Sequence, residues 1–388
     1  MKVICLEDVP NKEKYRGKFQ EEGIDVVYRR ATTTASTDGM MLIKNFIDLG
    51  KRYLESGESR VFLESHEKES ALAAVALKRS HPTAGIAAIR WLHDPGLYCC
   101  KTSEILPSGE FCEGVGRSTI GYAKCLRCLS HFKKSELRLP LQYLTYKVTS
   151  KHVDLFVSFK EWWARGAIRN GYPRERLTVF PFWVDTQMFA PKKSQRTPQL
   201  EDKIVVLNPG AIVPPWKGLD VLVDAASFVT KRYPATVFVN LGGACRPHKD
   251  QDYIDGLHER IRRLGLADRF LFVPSVERSE VASWLNIADI VAFTSYYDNH
   301  NWSIVESMAC EKPIVATDVG PTSEIMRDGV NGLLALNRNP RDIAEKIVRL
   351  IEDASLARRI SRGARRTAEE REISNMPPRM ERLYEDIG

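Results

Sequence analysis

The chain has 388 residues, of which 43% are hydrophobic and 28% are charged. This composition is typical of a folded globular protein and argues against extended disorder, and the length predicts two domains. No apolar run reaches the roughly 18 residues that are needed to span a bilayer. The N-terminal residues combine a short apolar run with immediate charges, which predicts a first strand rather than a signal peptide. We therefore expect a cytoplasmic protein.

The net charge of +7 comes from the first half of the chain. Residues 117–152 hold eight basic side chains against a single acid, Glu136. Such a segment is commonly a solvated face. Alternatively it docks an anionic partner, either a phosphorylated acceptor or a membrane, which would make the protein peripheral to the inner membrane face. The sequence has no recognisable nucleic-acid motif, so no nucleic-acid partner is expected.

Strands and helices are predicted to alternate along the first half. Short apolar runs predict strands, and apolar residues at helical spacing predict the helices between them. The predicted strands cover 3–7, 24–29, 60–64, 86–92, 154–159 and 177–182, and the predicted helices lie near 39–56, 68–80 and 135–151.

The second half shows the same alternation more clearly. An apolar strand over 204–210 is followed by an apolar stripe at helical spacing, formed by Leu219, Leu222, Val223, Ala226 and Val229. Further strands are predicted at 236–243, 270–273, 290–293 and 313–317, with helices over 252–264, 278–288, from Ser303, and over 340–352. Continuously apolar strands alternating with amphipathic helices indicate a parallel sheet covered on both faces. The predicted fold class is therefore α/β, with two doubly wound Rossmann-like domains.

The domain boundary is predicted from a stretch rich in Pro, Lys, Ser and Gln. The N-terminal Rossmann-like domain is expected over 1–185, with a cysteine-rich insert at about 99–128. A surface linker is expected over 186–202 and the C-terminal domain over 203–370. Residues 371–388 are expected to form a tail helix that returns to the N-terminal domain. Two such domains facing each other would bind a ligand in a cleft, at the carboxyl ends of the strands.

Cysteines are concentrated in the predicted insert. Eight cysteines in a chain expected in the cytoplasm argue against a disulfide framework. Cys125 and Cys128 form a CxxC pair, and Cys100 and Cys112 precede them in a Gly- and Ser-rich loop. These four thiols match the ligand set of a structural zinc site, although the spacing is not that of a standard zinc finger. Free thiols are the alternative.

Two carboxylates follow the strand predicted at 290–293. Asp298 lies in the loop after this strand, and Glu306 follows eight positions later in the first turn of the next helix. Carboxylates at this edge can bind sugar or ribose hydroxyls, while the helix N-terminus receives phosphate. Glu306 has a second interpretation, because Ser303-x-x-Glu306 also matches a capping box.

A second candidate segment follows the strand predicted at 204–210. Gly210 ends this strand, and Lys217-Gly218 stands at the start of the next helix. A lysine beside free helix amides suits a diphosphate, although surface lysines at helix starts are common.

Together these segments resemble the retaining family-4 glycosyltransferases of GT-B fold. The resemblance runs from Gly210 and Lys217-Gly218 through Asp298 and Glu306 to the DGVNGLL segment. It includes VFPFWVDTQMFAP, which is similar to the interdomain connection of that family, and RWLHDP, whose histidine is His93.

The resemblance implies a role for each matching residue. Glu306 would bind the ribose hydroxyls, Lys217 the diphosphate, and the backbone near Val276 the base. Asp298 and His93 would contact the transferred sugar. The implied donor is a UDP- or GDP-type nucleotide sugar, and the implied acceptor is a glycan or a lipid-linked sugar. The reaction would retain the anomeric configuration and need no cofactor or metal, since positioning and charge stabilisation supply the catalysis.

The chain departs from the pattern of that family at three places. Ala211 stands where an arginine often follows the glycine, Asp298 replaces a glutamate, and the Gly-rich loop after the first strand is absent. An altered donor pocket is one interpretation. A non-catalytic GT-B partner subunit and a nucleotide-sugar epimerase of the same fold are the alternatives.

Overall fold

The chain forms two compact units in the computed structural model. The structure describes residues 2–5, 25–28, 47, 61–66, 68–93, 95–99, 112, 119–131, 138–210, 215–243, 247–297 and 302–387. The first unit comprises residues 1–181 and 377–388, and the second comprises residues 182–376.

The first unit contains a parallel sheet with the strand order β2-β1-β3-β4-β5-β6. Strands β3 and β4 are buried along their whole lengths, because apolar side chains alternate to both faces and helices cover them. The strands are β1 (Lys2–Cys5), β2 (Asp25–Tyr28), β3 (Val61–Ser65), β4 (Ile86–Leu92), β5 (Leu155–Ser158) and β6 (Leu177–Val179). The described helices are Lys68–Ser80, Thr119–His131, Arg138–His152 and Glu161–Arg169.

A C-terminal helix, Met376–Glu385, supplies residues to the first unit. Tyr384 is buried, its ring lies 4.9 Å from that of Phe62, and its hydroxyl donates to Glu64 Oε1 at 2.5 Å. The indole N–H of Trp91 donates to the same carboxylate oxygen at 3.0 Å. Two donors therefore compensate the burial of the Glu64 carboxylate.

The second unit contains a parallel sheet with the order β12-β11-β10-β7-β8-β9. Neighbouring β7 and β10 mark the point where the strand order reverses, and ligands of such sheets bind beyond the carboxyl ends of these strands. The strands are β7 (Ile204–Pro209), β8 (Thr236–Leu241), β9 (Phe270–Val273), β10 (Ile290–Phe293), β11 (Ile314–Thr317) and β12 (Leu333–Ala335). The described helices are Leu219–Arg232, Pro247–Arg263, Arg278–Ile287, Trp302–Ala309, Pro340–Glu352 and Ala354–Glu369. All five residues of the predicted apolar stripe on Leu219–Arg232 are buried, which confirms the predicted face.

The segment predicted as a surface linker, 186–202, packs on the second unit. Phe189 and Leu200 are buried, and Arg196 Nη2 lies 2.7 Å from Asp289 Oδ1. Arg365 Nη1 donates to the backbone carbonyls of Phe189 at 3.3 Å and Ala309 at 2.6 Å. The polar composition suggested a linker, but two buried apolar side chains, Phe189 and Leu200, anchor the segment. The two compact units divide between residues 181 and 182.

Among the helices in the described ranges, none has both the length and the apolar character that crossing a bilayer requires.

Candidate active site

A lysine-bearing loop lies beyond the carboxyl end of β7. We call residues 215–218 the lysine loop. Its last residue, Gly218, has a φ of +63°, and a Cβ there would lie 1.9 Å from the Thr294 carbonyl oxygen. Only glycine fits this left-handed, crowded position without strain. The Thr294 hydroxyl donates to the Gly218 carbonyl at 2.8 Å, and the Tyr296 amide donates to the Trp216 carbonyl at 2.7 Å. The residues after β10 therefore hold the lysine loop in place.

The helix Leu219–Arg232 starts directly after the lysine loop, and its N-cap residue, Gly218, has no side chain with which to cap it. Lys217 is half-buried and lies two residues before this start. First-turn amides without a capping side chain, next to a cation, suit an anionic group. The acid in this first turn, Asp220, accepts from the hydroxyls of Tyr296 and Tyr253. Burial, with Asp220 nearby, raises the pKa of both tyrosines, so both stay neutral donors.

Glu306 is a buried carboxylate on the helix Trp302–Ala309. Its Oε1 accepts from Arg278 Nη2 at 2.8 Å. Burial raises the pKa of Glu306, and Arg278 partly offsets this rise. The capping-box interpretation predicted that the helix starts at Ser303. It starts at Trp302 instead, and the described bond of the Glu306 carboxylate goes to Arg278. The structure therefore favours an ion-paired carboxylate over a capping role.

Arg278 is the first residue of the helix Arg278–Ile287 and is missing from our predicted site. Its side chain is 48% exposed, and its guanidinium lies 5.6 Å from the ring centre of Phe189. The stretch that contains Arg278 also contains half-buried Val276. The predicted base-binding segment is therefore joined to Glu306 through Arg278.

A glycine pair after β8 lies close to this stretch. Gly242 has a φ of +143°, and the amide of Gly243 donates to Ser275 Oγ at 3.0 Å. A Cβ on Gly243 would lie 3.1 Å from the same oxygen. The pair therefore allows its backbone to approach the segment that holds Val276 closely.

Two histidines meet at the carboxyl edge of the sheet in the first unit. His66 follows β3 and His93 follows β4, which pairs with β3. His66 Nδ1 lies 2.6 Å from His93 Nε2, and the ring of His93 packs 5.1 Å from that of Phe159. Burial, followed by the charges of His93 and Arg90, lowers the pKa of His66 well below its usual value. His66 is therefore held neutral beside the predicted sugar-binding His93.

Two predicted site residues lie outside the described residues. They are Asp298 and Cys100, and the substituted position Ala211 shares this status. Gly210 is described and half-buried, and its amide donates to the Leu241 carbonyl at 2.9 Å.

The other predicted zinc ligands, Cys112, Cys125 and Cys128, are half-buried. Within the ranges that the structure describes, no group of three or more His, Cys, Asp or Glu side chains could hold a metal ion. These three cysteines therefore do not form a site by themselves. The four-cysteine zinc site stays a prediction.

The basic segment 117–152 contains the helices Thr119–His131 and Arg138–His152. Lys124, Arg127, Lys147 and Lys151 are exposed on them. The second helix also exposes two large apolar side chains, Tyr143 at 48% and Leu144 at 60%. This helix therefore exposes both basic and apolar side chains.

Residues 190–367 match the family of glycosyl transferases group 1. The match covers just under half of the chain, and we call residues 190–367 the group 1 region. The group 1 region contains the lysine loop, Val276, Arg278 and Glu306, so every described element of the site in the second unit lies inside it.

Similarity to known proteins extends in two directions. Over 208 residues the chain is 32% identical to a D-inositol 3-phosphate glycosyltransferase of Paenarthrobacter aurescens, a match that covers 51% of this chain and 49% of that protein. The chain thus spans about half the length of such relatives. The structural match to HepE of Anabaena, solved in complex with UDP-glucose, covers 100% of both chains, at 18% identity and a TM-score of 0.69. Sucrose-phosphate synthase from Thermosynechococcus elongatus gives a TM-score of 0.73 at 17% identity, covering 100% of this chain and 98% of that one.

These likenesses confirm the predicted fold class, α/β with two Rossmann-like domains of GT-B type. They carry less weight for individual residues. The family match begins at residue 190, so the histidine pair lies outside the group 1 region.

Arg278 and His66 were not predicted from the sequence. The described bond of each is to a residue 27 or 28 positions away in sequence.

Proposed function

We propose that the chain is a glycosyltransferase. It would move a sugar from a nucleotide diphosphate-sugar to an acceptor hydroxyl with retention of anomeric configuration. The observation that carries the proposal is the lysine loop, which residues after β10 hold beside an uncapped helix start within a group 1 region. A glycosyltransferase name among the relatives and the UDP-glucose complex of HepE support the same activity.

The lysine loop is proposed to bind the donor diphosphate. Amides of the first helical turn would donate to phosphate oxygens, and the Lys217 ammonium would balance their charge. As the bond between the sugar and the diphosphate breaks, negative charge grows on the leaving oxygen, and preorganised positive groups stabilise it.

The carboxylate of Glu306 is proposed to accept from the ribose hydroxyls of the donor. Arg278 favours the ionised form of this buried carboxylate through the ion pair, and so partly offsets the rise in its pKa that burial causes. The backbone around Val276 would meet the base. The neighbouring glycine pair holds this backbone by the bond from the Gly243 amide to Ser275 Oγ.

His93 and Asp298 are proposed to hydrogen-bond hydroxyls of the transferred sugar. The acceptor oxygen would attack the anomeric carbon on the face from which the diphosphate departs. One carbon–oxygen bond forms as the other breaks, and an oxygen of the leaving phosphate takes the acceptor proton. No metal ion enters this scheme.

The acceptor is proposed to be a glycan or a lipid-linked sugar at an anionic membrane surface. The exposed lysines of Arg138–His152 would attract the surface, and Tyr143 and Leu144 would enter its interface. Lys147→Gln with Lys151→Gln should weaken sedimentation with vesicles that contain phosphatidylglycerol, but not change binding to phosphatidylcholine vesicles. Equal binding of the variant and the unmodified protein to both vesicle types would contradict the membrane proposal.

A thermal-shift screen tests the donor proposal. UDP, GDP, ADP and dTDP would be compared, each with its common sugars. A ligand at about 100 times its Kd stabilises the folded state by roughly 2.7 kcal/mol, which a melting curve resolves. Lys217→Ala and Glu306→Ala should lose this shift. Lys231→Ala and Glu280→Ala, two exposed sites in the same unit, should keep it.

The anomeric form of the product, read by NMR, tests retention once a donor is found. An inverted product would contradict retention but not sugar transfer. If no nucleotide sugar shifts the melting curve, the donor proposal fails. The departure at Ala211 would then favour the non-catalytic partner subunit.

A further inference from the structure

The histidine pair is built by two neighbouring strands. β3 and β4 run in parallel register with Ser65 opposite Arg90, so both chains leave the sheet at the same edge. His66 is the first residue after β3, and His93 is the first after β4. This geometry brings His66 Nδ1 within 2.6 Å of His93 Nε2, with 4.9 Å between the ring centres.

Aromatic packing fixes the His66 ring. It stacks on Trp91 with 6.2 Å between ring centres and 9° between ring planes. Trp91 is itself fixed, because its indole N–H donates to buried Glu64 and its ring packs 5.6 Å from that of Phe180. These contacts hold the His66 imidazole in one orientation, so His66 is preorganised for its bond to His93.

We propose that His66 is the positioning residue of His93. The bond between His66 Nδ1 and His93 Nε2 would hold the His93 ring in the orientation in which it meets the sugar. This inference rests on the proposed function, in which His93 contacts the transferred sugar.

One proton lies between the two ring nitrogens, and it couples the tautomers of both rings. When His66 Nδ1 donates this proton, neutral His93 carries its own proton on Nδ1. When His93 Nε2 donates instead, Nδ1 of His93 carries no proton, so the bond to His66 sets the tautomer of His93. A neutral partner suits this exchange, and burial with the nearby charges of His93 and Arg90 keeps His66 neutral by lowering its pKa.

Matched variants separate positioning from folding. His66→Phe keeps a planar ring but removes the bond, whereas His66→Asn keeps a polar atom near the place of Nδ1. His93→Phe removes the proposed sugar contact. His81→Phe is the control, because His81 lies in the same unit before the opposite end of β4 and bonds within its own turn.

Turnover of the donor found in the thermal screen should respond in a defined pattern. His66→Phe should lower kcat by roughly 10- to 100-fold, since displacing a reacting contact by about 1 Å costs on the order of 100-fold. His66→Asn should recover much of this loss, and His81→Phe should match the unmodified protein. In the His93→Phe background, His66→Phe should cause no further loss, because its effect passes through His93. Melting curves would confirm that every variant folds.

An additive loss in the double variant, or unchanged kcat in His66→Phe, would overturn the proposal. A second readout needs no donor. Nitrogen chemical shifts of the His93 ring, assigned by their disappearance in His93→Phe, should report a changed tautomer population in His66→Phe. If they do not move, the bond does not set the tautomer of His93. If they move while no nucleotide sugar is turned over, the positioning inference survives and only the proposed function fails.

Discussion

The two units build their candidate site residues by different means. In the second unit, the Thr294 hydroxyl and the Tyr296 amide hold the lysine loop, and Gly218 packs on the Thr294 carbonyl with no room for a Cβ. We call this arrangement the clamp. In the first unit, side chains hold one another, through the bond between His66 and His93 and through the rings around it. We call His66, His93, Trp91 and Phe159 the ring cluster. We expect a Cβ at Gly218 to disrupt the clamp, whereas a conservative change near the ring cluster should cost less.

Both arrangements join segments that are distant in sequence. The clamp joins Gly218 to Thr294, and both lie inside the family match over 190–367. The ring cluster joins residues that follow two neighbouring strands of the first unit, outside that match.

The largest effect is expected for Gly218→Ala. The new Cβ would overlap the Thr294 carbonyl oxygen, and alanine is strained at a φ of +63°. We expect the second unit to lose on the order of 3 kcal/mol of stability, together with nucleotide binding. Urea unfolding of the full chain measures the loss.

Gly256→Ala is the matched control. Gly256 lies exposed in the helix Pro247–Arg263, and nothing lies within 4 Å of its added Cβ. Alanine should stabilise this helix by about 0.5–1 kcal/mol. Equal changes in unfolding free energy in the two variants would show that the lysine loop accommodates a Cβ at Gly218. That result would contradict the steric argument.

A smaller effect is expected for Arg278→Leu. The Glu306 carboxylate would stay buried without its described cation, so the pKa of Glu306 should rise further. Because about half of the Arg278 side chain is exposed, water weakens the ion pair. We therefore expect only about a tenfold loss of UDP affinity. Calorimetric titration measures it, and exposed Arg262→Leu serves as the comparison. Unaltered affinity would separate Arg278 from the ribose site.

The same carboxylate predicts a pH dependence of donor binding. The ionised Glu306 carboxylate would be the stronger acceptor for the proposed ribose hydroxyls, and burial raises its pKa above the usual value for glutamate. UDP-glucose affinity should therefore fall as the pH decreases through this raised pKa, at a higher pH than an ordinary glutamate would cause. Glu306→Gln should bind weakly with a flat profile. A profile that is the same with and without Glu306 would assign the titration to another group.

The smallest effect is expected for Tyr384→Phe. This variant tests the support of the ring cluster, because Glu64 accepts from both Tyr384 and Trp91. The variant keeps the packing on Phe62 and removes one donor from buried Glu64. A loss of about 1–2 kcal/mol in the unfolding of the first unit is expected. Exposed Tyr143→Phe should change stability by less than about 0.5 kcal/mol. A Tyr384→Phe loss no larger than this control would mean that Glu64 recruits another donor.

Much of the fold could be predicted from periodicity. Strands such as Ile86–Leu92 and Phe270–Val273 were predicted at their observed bounds, because a short apolar run between turn signals is a local property. Strand β12 was missed, since it has three residues between a glycine and a polar turn. The helix Ala354–Glu369 was missed too, although Asp353 caps it in the usual way by accepting from the Leu356 amide.

The candidate site residues stay predictions. Lys217 and Glu306 were proposed because each lies near a helix start in a segment that resembles the glycosyltransferase family. Arg278 and His66 show no such local signal, because a guanidinium on an exposed helix start or a histidine after a strand is unremarkable alone. Their importance comes from partners that the sheet order brings near. The segment 186–202 was predicted to be a surface linker because its composition is polar. Its few apolar residues, among them Phe189 and Leu200, nevertheless pack it on the second unit.

Arg365 has a consequence for local motion. Its guanidinium joins backbone carbonyls of the segment around Phe189 to that of Ala309, the last residue of the helix that carries Glu306. These carbonyls come from two stretches more than a hundred residues apart in sequence. Amide hydrogens in both stretches should therefore exchange with deuterium through the same opening event. The unit of the chain that opens together with the Glu306 helix would thus include the segment around Phe189, which precedes β7, the first strand of the second unit.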